Sequence, residues 1–259
     1  MIRLFLSSFI LLFNLSYLAQ LKAGFDAFEF KEMLLISAQT NSNLDQKKEY
    51  ISPSLYTKEY SSDTVGLDNL WELWIGKESA VISIRASTNK EISWLADFQS
   101  TMTLANGNIS LSKTKTFDYN LSSNPKALIH TGWLLSLAYL AGDIEQKIKE
   151  YSKKGIKNFI ITGHSQGGVI AMLLRTHLHH LQEQQKISRG LTFKVYCSGT
   201  PKVGNLYFAY EYDKLTQNGW GFNVINTKDW VPETPVSIQN LKDFNDLNLF
   251  SFAKNKIKN

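Results

Sequence analysis

The chain has 259 residues, 43% of them hydrophobic and 20% charged, enough to bury a substantial core as one large α/β domain. Its net charge of +5 comes from lysines scattered along the whole length, such as Lys47-Lys48, Lys153-Lys154 and Lys254, Lys256 and Lys258, and without a dense basic block there is no case for a nucleic-acid partner. The same mild excess suits ordinary solubility and equally a protein that dwells near an anionic membrane or cell-wall surface. The single cysteine, Cys197, leaves no internal disulfide to form and falls in a strand-like run where it is expected to pack in the core.

At the N-terminus Arg3 is followed by Leu4-Phe5-Leu6 and an apolar run through Leu12, Phe13, Leu15 and Leu18, with small residues at Ala19 and Ala23. A basic start, an apolar stretch shorter than a membrane span and a small residue at the cut are the layout of a secretory leader. Residues 1–23 are therefore expected to be a signal peptide, and 24–259 a single domain that is secreted or held in the cell envelope. The alternative is an uncleaved N-terminal anchor, since the cut is not sharply defined. Further on, Phe25, Phe28, Met33, Leu34 and Ser37 fall at roughly helical spacing and predict an amphipathic helix against the body of the domain. Residues 41–69 are polar, contain Pro53 and Gly66, and read as a long covering loop.

Trp71, Leu73 and Ile75, then Gly76-Lys77, then Ala80-Val81-Ile82-Ser83-Ile84 predict two strands joined by a tight turn, the second apolar enough to lie centrally in a sheet. Leu137, Leu140, Ile144, Ile148 and Tyr151 mark one face of a helix that should end at Gly155, a residue suited to the left-handed stop. A short buried strand, Phe159-Ile160-Ile161-Thr162, comes next, then a glycine-rich turn, then a helix over Val169 to Leu181. Phe193-Lys194-Val195-Tyr196 and Phe222-Asn223-Val224-Ile225 are two more strands. Strands alternating with long helices indicate a mostly parallel sheet flanked by helices on both faces.

The glycine-rich turn is Gly163-His164-Ser165-Gln166-Gly167. A Gly-x-Ser-x-Gly match is weak by itself, but here it follows an apolar strand and opens a helix, the strand-turn-helix context that lifts a serine hydroxyl clear of a sheet edge. Gly163 and Gly167 leave room where a side chain would collide with a neighbouring strand or helix in so tight a turn. The new helix also aims free backbone N–H groups at a developing oxyanion. Ser165 is accordingly the candidate nucleophile, and its neighbour His164 should project to the opposite side of the turn.

From this elbow outward the sequence resembles the fungal-type class 3 lipases of the α/β-hydrolase superfamily. Ile84-Arg85-Ala86-Ser87-Thr88 with Trp94-Leu95-Ala96-Asp97-Phe98 is similar to the family's Arg-Gly-Ser/Thr segment and its downstream Trp-x-x-Asp. His130-Thr131-Gly132-Trp133 resembles its His-x-Gly-Phe, and Ser198-Gly199-Thr200-Pro201-Lys202-Val203-Gly204-Asn205 its Gly-x-Pro-Arg-Val-Gly-Asn. Asn226-Thr227-Lys228-Asp229-Trp230-Val231-Pro232 is similar to its Asp-x-Val-Pro. The motifs occur in family order, within a core stretch of 80–236. The resemblance implies an α/β-hydrolase fold and a serine hydrolase that needs no cofactor and no metal. It makes Ser87 an oxyanion-hole residue through its backbone N–H and its hydroxyl, with the Gln166 N–H as second donor, and Asp229 the acid that orients a histidine. Ala86 departs from the family's glycine without removing that N–H.

The histidine is not placed by sequence. All five histidines, His130, His164, His177, His179 and His180, precede Asp229, whereas the chain order of this superfamily is Ser, Asp, His. His177 lies twelve residues along the helix from Ser165, about 18 Å at ~1.5 Å per residue, too far for a hydrogen bond. His179 and His180 are expected at a solvated helix end, a weak metal site at most, and His130 belongs to a motif that is structural in the family. The family's base lies several tens of residues past the aspartate, so the C-terminal part is expected to be shortened in this sequence. The resulting expectation is a hydrolase of lipid ester bonds working through an acyl-enzyme, with peripheral contact to a lipid surface. Two rivals are a non-catalytic lipid- or surface-binding protein on the same scaffold and a serine esterase or acyltransferase on non-lipid substrates.

Overall fold

A computed structural model describes residues 21–41, 49–98 and 101–234. Most of the expected leader and the lysine-rich tail lie outside the described residues. The helices are α1 (Ala27–Asn41), α2 (Glu91–Phe98), α3 (Thr131–Lys153), α4 (Gln166–Glu183) and α5 (Leu206–Thr216). The strands are β1 (Thr57–Ser61), β2 (Trp71–Ile75), β3 (Ser79–Ile84), β4 (Met102–Leu104), β5 (Asn106–Ser110), β6 (Thr116–Asn120), β7 (Leu128–His130), β8 (Asn158–His164), β9 (Thr192–Ser198) and β10 (Gly221–Val224). A 3-10 turn at Val231–Glu233 follows.

Six strands form the central sheet in the order β1-β2-β3-β8-β9-β10. The last four run parallel, and β2 and β1 are added antiparallel at one side. Alternate residues of β8 explain why its sequence is apolar without a break: Phe159 and Ile161 enter the cluster under α3 and α4, while Ile160 joins the cluster under α1. Both faces are dry, so truncating any of these three to alanine would cost roughly 2–5 kcal/mol. The expected mostly parallel sheet with helices on both faces is what forms.

On β2, Trp71 and Leu73 face the larger cluster as their alternation predicts, but Glu72 and Trp74 on the other side are buried as well. Glu72 is tolerated there because it accepts hydrogen bonds from Thr40 (3.0 Å), Trp74 (3.1 Å) and Lys58 (3.3 Å), which a buried carboxylate requires. Through Thr40 this ties the end of α1 to the sheet. Helix α1 packs through Met33, Ile36, Ser37 and Thr40, while Phe28 and Leu34 are exposed; the buried stripe is narrower and rotated relative to the face predicted from sequence.

Other expectations need correction. The segment 41–69 carries the edge strand β1, whose polar sequence TKEYS keeps only Tyr60 half-buried, a pattern too weak to read as a strand. Two small antiparallel pairs, β4 with β7 and β5 with β6, fill the stretch before α3, where the sequence suggested no elements. Helix α3 begins six residues before Leu137, at Thr131, and stops as predicted before Gly155, which has φ +103°. The histidines of α4 are not all solvated: His177 is buried against Glu145 (2.8 Å) and the Phe117 ring, and His180 is buried and paired with Glu183 (2.9 Å). Cys197 is fully buried, donates to the Gly168 carbonyl, and burial pushes its thiol up to about 12, which makes it a packing residue.

Candidate active site

Ser165 follows the last residue of β8 and caps the N-terminus of α4, with φ +53° and ψ −125°. A non-glycine residue in that region is strained by about 1–3 kcal/mol and is held there by its surroundings. Its N–H donates to the Ser198 carbonyl at 2.9 Å, and its own carbonyl accepts from Gly168 and Val169. Both flanking glycines are sterically required. A Cβ on Gly163 would stand 2.3 Å from the Gly167 backbone, and one on Gly167 2.3 Å from the Ile84 carbonyl. The second contact means that the elbow rests directly on the exit of β3, where the loop that bears Ser87 begins. Gly168 is equally constrained, its Cβ position lying 2.2 Å from Thr200 Oγ1, a requirement the pentapeptide does not reveal.

The loop after β3 is held from three sides. Asp68 receives Lys90 at 2.6 Å and the Thr88 hydroxyl at 2.7 Å on its carboxylate, which also lies 3.2 Å from the Arg85 guanidinium, and its carbonyl accepts from Arg85 at 2.6 Å. Burial alone would raise the Asp68 pKa, but these donors and the Arg85 charge hold it below the ordinary range. Asn41, the last residue of α1, accepts the Ala86 N–H at 2.7 Å. The Ser87 hydroxyl donates to Asp97 at 2.6 Å, and the other oxygen of Asp97 accepts from Trp133 Nε1 at 3.0 Å. Asp97 is thus half-buried between two donors; its partial burial raises its pKa, against the lowering effect of both hydrogen bonds. Ser87's hydroxyl is therefore spent on Asp97, and the backbone N–H is the donor it has left. Among the described residues nothing accepts the N–H of Ser87 or that of Gln166, the first residue of α4.

His130 lies under this arrangement. It is fully buried, stacks on Trp133 at 3.9 Å between centroids, and finds no partner for either ring nitrogen among the described residues. Burial drives its pKa down to about 4, with the Asp97 backbone opposing, so it is neutral near pH 7 and supports the Trp133 to Asp97 to Ser87 chain by packing. Gly132 is where α3 touches α2, its Cβ position lying 2.2 Å from the Ala96 carbonyl. Asn205 also builds the frame: it caps α5, accepts the Leu128 N–H at 3.1 Å and donates to the Lys126 carbonyl at 2.8 Å.

Asp229 sits in the turn after β10, half-buried, where its Oδ1 accepts the Val231 N–H at 3.0 Å. Its Oδ2 lies 3.1 Å from the Cβ position of Gly199, and the His164 ring lies 3.0 Å from the same point. Gly199, at φ +55°, leaves open the space between the elbow and the acid. His164 is exposed and its Nδ1 meets the Ser198 hydroxyl at 3.0 Å. Among the described residues no histidine hydrogen bonds to Ser165 Oγ or Asp229, no group of three or more His, Cys, Asp or Glu side chains could hold a metal, and no helix is long and apolar enough to cross a membrane.

A mostly parallel sheet with a strained serine between β8 and α4, the Ser87 loop after β3 and Asp229 after the last strand are the arrangement of the α/β-hydrolase fold. The model of the family "Lipase (class 3)" matches residues 81–238, and the chain belongs to that family. Its sequence is 32% identical over 113 residues to a secreted mono- and diacylglycerol lipase of Malassezia globosa, across 43% of this chain and 35% of that protein. Another secreted mono- and diacylglycerol lipase, from Fusarium solani, is 30% identical over 108 residues, across 41% of this chain and 29% of its own length. The matched stretch is thus about a third of each relative. Among solved structures the fold is similar to a lipase from Rhizopus microsporus var. chinensis, with TM-score 0.58 at 21% identity, covering 82% of this chain and 71% of that one. It is also similar to Rhizomucor miehei lipase in its propeptide complex, with TM-score 0.56 at 20% identity, covering 83% and 66%.

Proposed function

We propose that the protein is a serine hydrolase of lipid carboxylic esters, acylglycerols above all. Ser165 Oγ attacks the acyl carbonyl as its proton passes to an imidazole oriented by Asp229 Oδ2. The oxyanion is bound by the N–H groups of Ser87 and Gln166. The alcohol leaves with that proton, and water then releases the fatty acid from the acyl-enzyme. The observation that carries the reading is the contact of Gly167 with the Ile84 carbonyl, which sets the strained Ser165 turn against the loop that bears Ser87. The names of the relatives support acylglycerols as substrate and export as the destination. No cofactor enters the mechanism.

A second reading, a non-catalytic lipid-binding scaffold, is favoured by one observation, the lack of an imidazole on Ser165 or Asp229 among the described residues. Hydrolysis of short- and long-chain p-nitrophenyl esters by the full chain separates the two. The catalytic reading expects turnover that falls at least about 10⁴-fold in Ser165→Ala. No turnover and no acylation burst would leave the scaffold reading standing.

A further inference from the structure

A cavity of about 700 Å³ lies between α5, β10 and the loop that joins β9 to α5. Met172, Phe208, Tyr212, Asn223 and Ile225 line it, and Ile225 is half exposed at its open end. Gly221, the first residue of β10, lines it as well. The cavity therefore follows β10 from its first residue to the one after its last, roughly 13 Å at ~3.3 Å per residue. That is room for a medium-length apolar chain, in a volume ordinary for a small-molecule site.

At the inner end is a charge without a counter-ion. Arg175 of α4, one helical turn from Met172, is 8% exposed, and neither its Nε nor its Nη1 has a partner among the described residues. Its guanidinium lies over the Phe193 ring, 5.6 Å from the centroid. Phe193 is two residues before Val195, the partner of Gly221, which sets Arg175 level with the start of β10. Tyr212 connects it to the cavity. The Tyr212 ring lines the wall and stacks on Phe208 at 6.4 Å, while its hydroxyl is buried without a partner among the described residues and feels the Arg175 charge. Burial lowers Arg175 to about 10 and pushes the Tyr212 phenol up, so near pH 7 one is a cation and the other a neutral donor. The neighbouring carboxylates are engaged or face outward: Glu211 accepts from Ser122 and Ser123, Glu183 pairs with His180, and Asp213, although it lines the cavity, is exposed. A buried guanidinium with no counter-ion is costly, and a carboxylate that meets its planar fork with two oxygens offsets that cost.

We infer that the cavity binds a carboxylic acid with a medium-length apolar tail, the carboxylate on Arg175 and Tyr212 and the tail along Met172, Phe208 and Ile225. The two ends of the cavity call for the two ends of one molecule. A small inorganic anion would satisfy Arg175 and leave the apolar wall wet, and an uncharged lipid would cover the wall and leave the guanidinium unpaired. A fatty acid does both. Binding there does not depend on turnover at Ser165.

Titration calorimetry of the full chain at pH 7 with decanoate, and separately with decan-1-ol, tests the site. Decanoate is expected to bind and to raise the thermal midpoint by roughly 3–6 °C at about ten times Kd. In Arg175→Met, decanoate should bind about 10- to 100-fold more weakly, while the affinity for decan-1-ol changes by less than about threefold. Loss of an unpaired buried charge should leave that variant folded. If it does not fold, Tyr212→Phe, which keeps the ring and removes the hydroxyl, decides in its place, with an expected loss of about tenfold for decanoate. Equal decanoate affinity in parent and variant would place the binding elsewhere, beside Ser165 or on the surface. No binding by the parent would mean that the cavity is filled by the chain itself or by water only. Either result overturns the inference.

Discussion

The loops 85–90 and 226–234 leave the same edge of the sheet and are built in opposite ways. The first is held by side chains from three other parts of the chain, Asp68 on Arg85, Thr88 and Lys90, Asn41 on Ala86, and Asp97 on Ser87. The second is held mainly from within itself, by Asp229 N–H to the Asn226 carbonyl, Val231 N–H to Asp229 Oδ1 and Thr234 N–H to the Val231 carbonyl, with Lys202 N–H to the Thr234 carbonyl as a tie from outside the loop. Under the proposed mechanism the difference separates two tasks. An oxyanion donor must be fixed before charge develops, because reorganising it during reaction wastes its effect. An acid such as Asp229 needs only an oriented carboxylate with one oxygen left to accept.

If that division holds, the largest effect on the acid side comes from Asp229→Asn. It keeps the shape of the group but cannot stabilise an imidazolium, and kcat should fall by about 10³- to 10⁴-fold with the fold intact; a change under tenfold would remove Asp229 from the mechanism. On the oxyanion side, Asp97→Asn should lower kcat by about 10- to 100-fold with KM little changed, as a loosened Ser87 donor predicts. Its stability should move the other way. Because burial raises the folded-state pKa of Asp97, the unfolded chain ionises first as pH rises, so the carboxylate weighs against the fold at neutral pH and this cost disappears as pH falls and the group protonates. Asp97→Asn should therefore melt no lower than the parent at pH 7, and a clearly lower midpoint would show that the carboxylate is needed for folding instead. The smallest kinetic effect is expected from His130→Phe, which keeps the stack on Trp133 and should leave kcat within about twofold. His130 titrates at about 4 in the fold against 6.5 ordinarily, so the unfolded chain binds the proton first as pH drops. The parent should lose roughly 3 kcal/mol between pH 7 and pH 4 from this group. Urea unfolding across that range should show a shallower slope in His130→Phe.

The sheet was legible in the sequence where both faces are buried, since uninterrupted runs such as Phe159-Ile160-Ile161 leave little ambiguity. Strand β1 was not, because an edge strand with one half-buried tyrosine has no alternation to detect. The elbow glycines could be read from the pentapeptide, whereas Gly168 and Gly199 are dictated by Thr200, His164 and Asp229, which are distant in sequence. Asp68 and Asn41 were missed for the same reason. Their partners lie 17 to 45 positions away, and the only local hint was the turn composition around Gly66 and Asn69. The burial of His177 and His180 depends on Glu145, Phe117 and Glu183, and a helical period alone does not reveal which polar residues find partners.

Leu21, Lys22 and Gly24 lie beside Ser79 and Asn158, the first residues of β3 and β8, whereas Ser165 follows the last residue of β8, and this placement at opposite ends of the parallel strands has a practical side. A bead, a surface or a fused protein joined at Leu21 would meet the domain at the end remote from the serine, with the loops 85–90 and 226–234 at the opposite end. Attachment through a residue of the loop 226–234 would put the support beside the acid. An immobilised form coupled through the N-terminus should therefore retain access for bulky, interface-bound esters that a form coupled near Asp229 excludes.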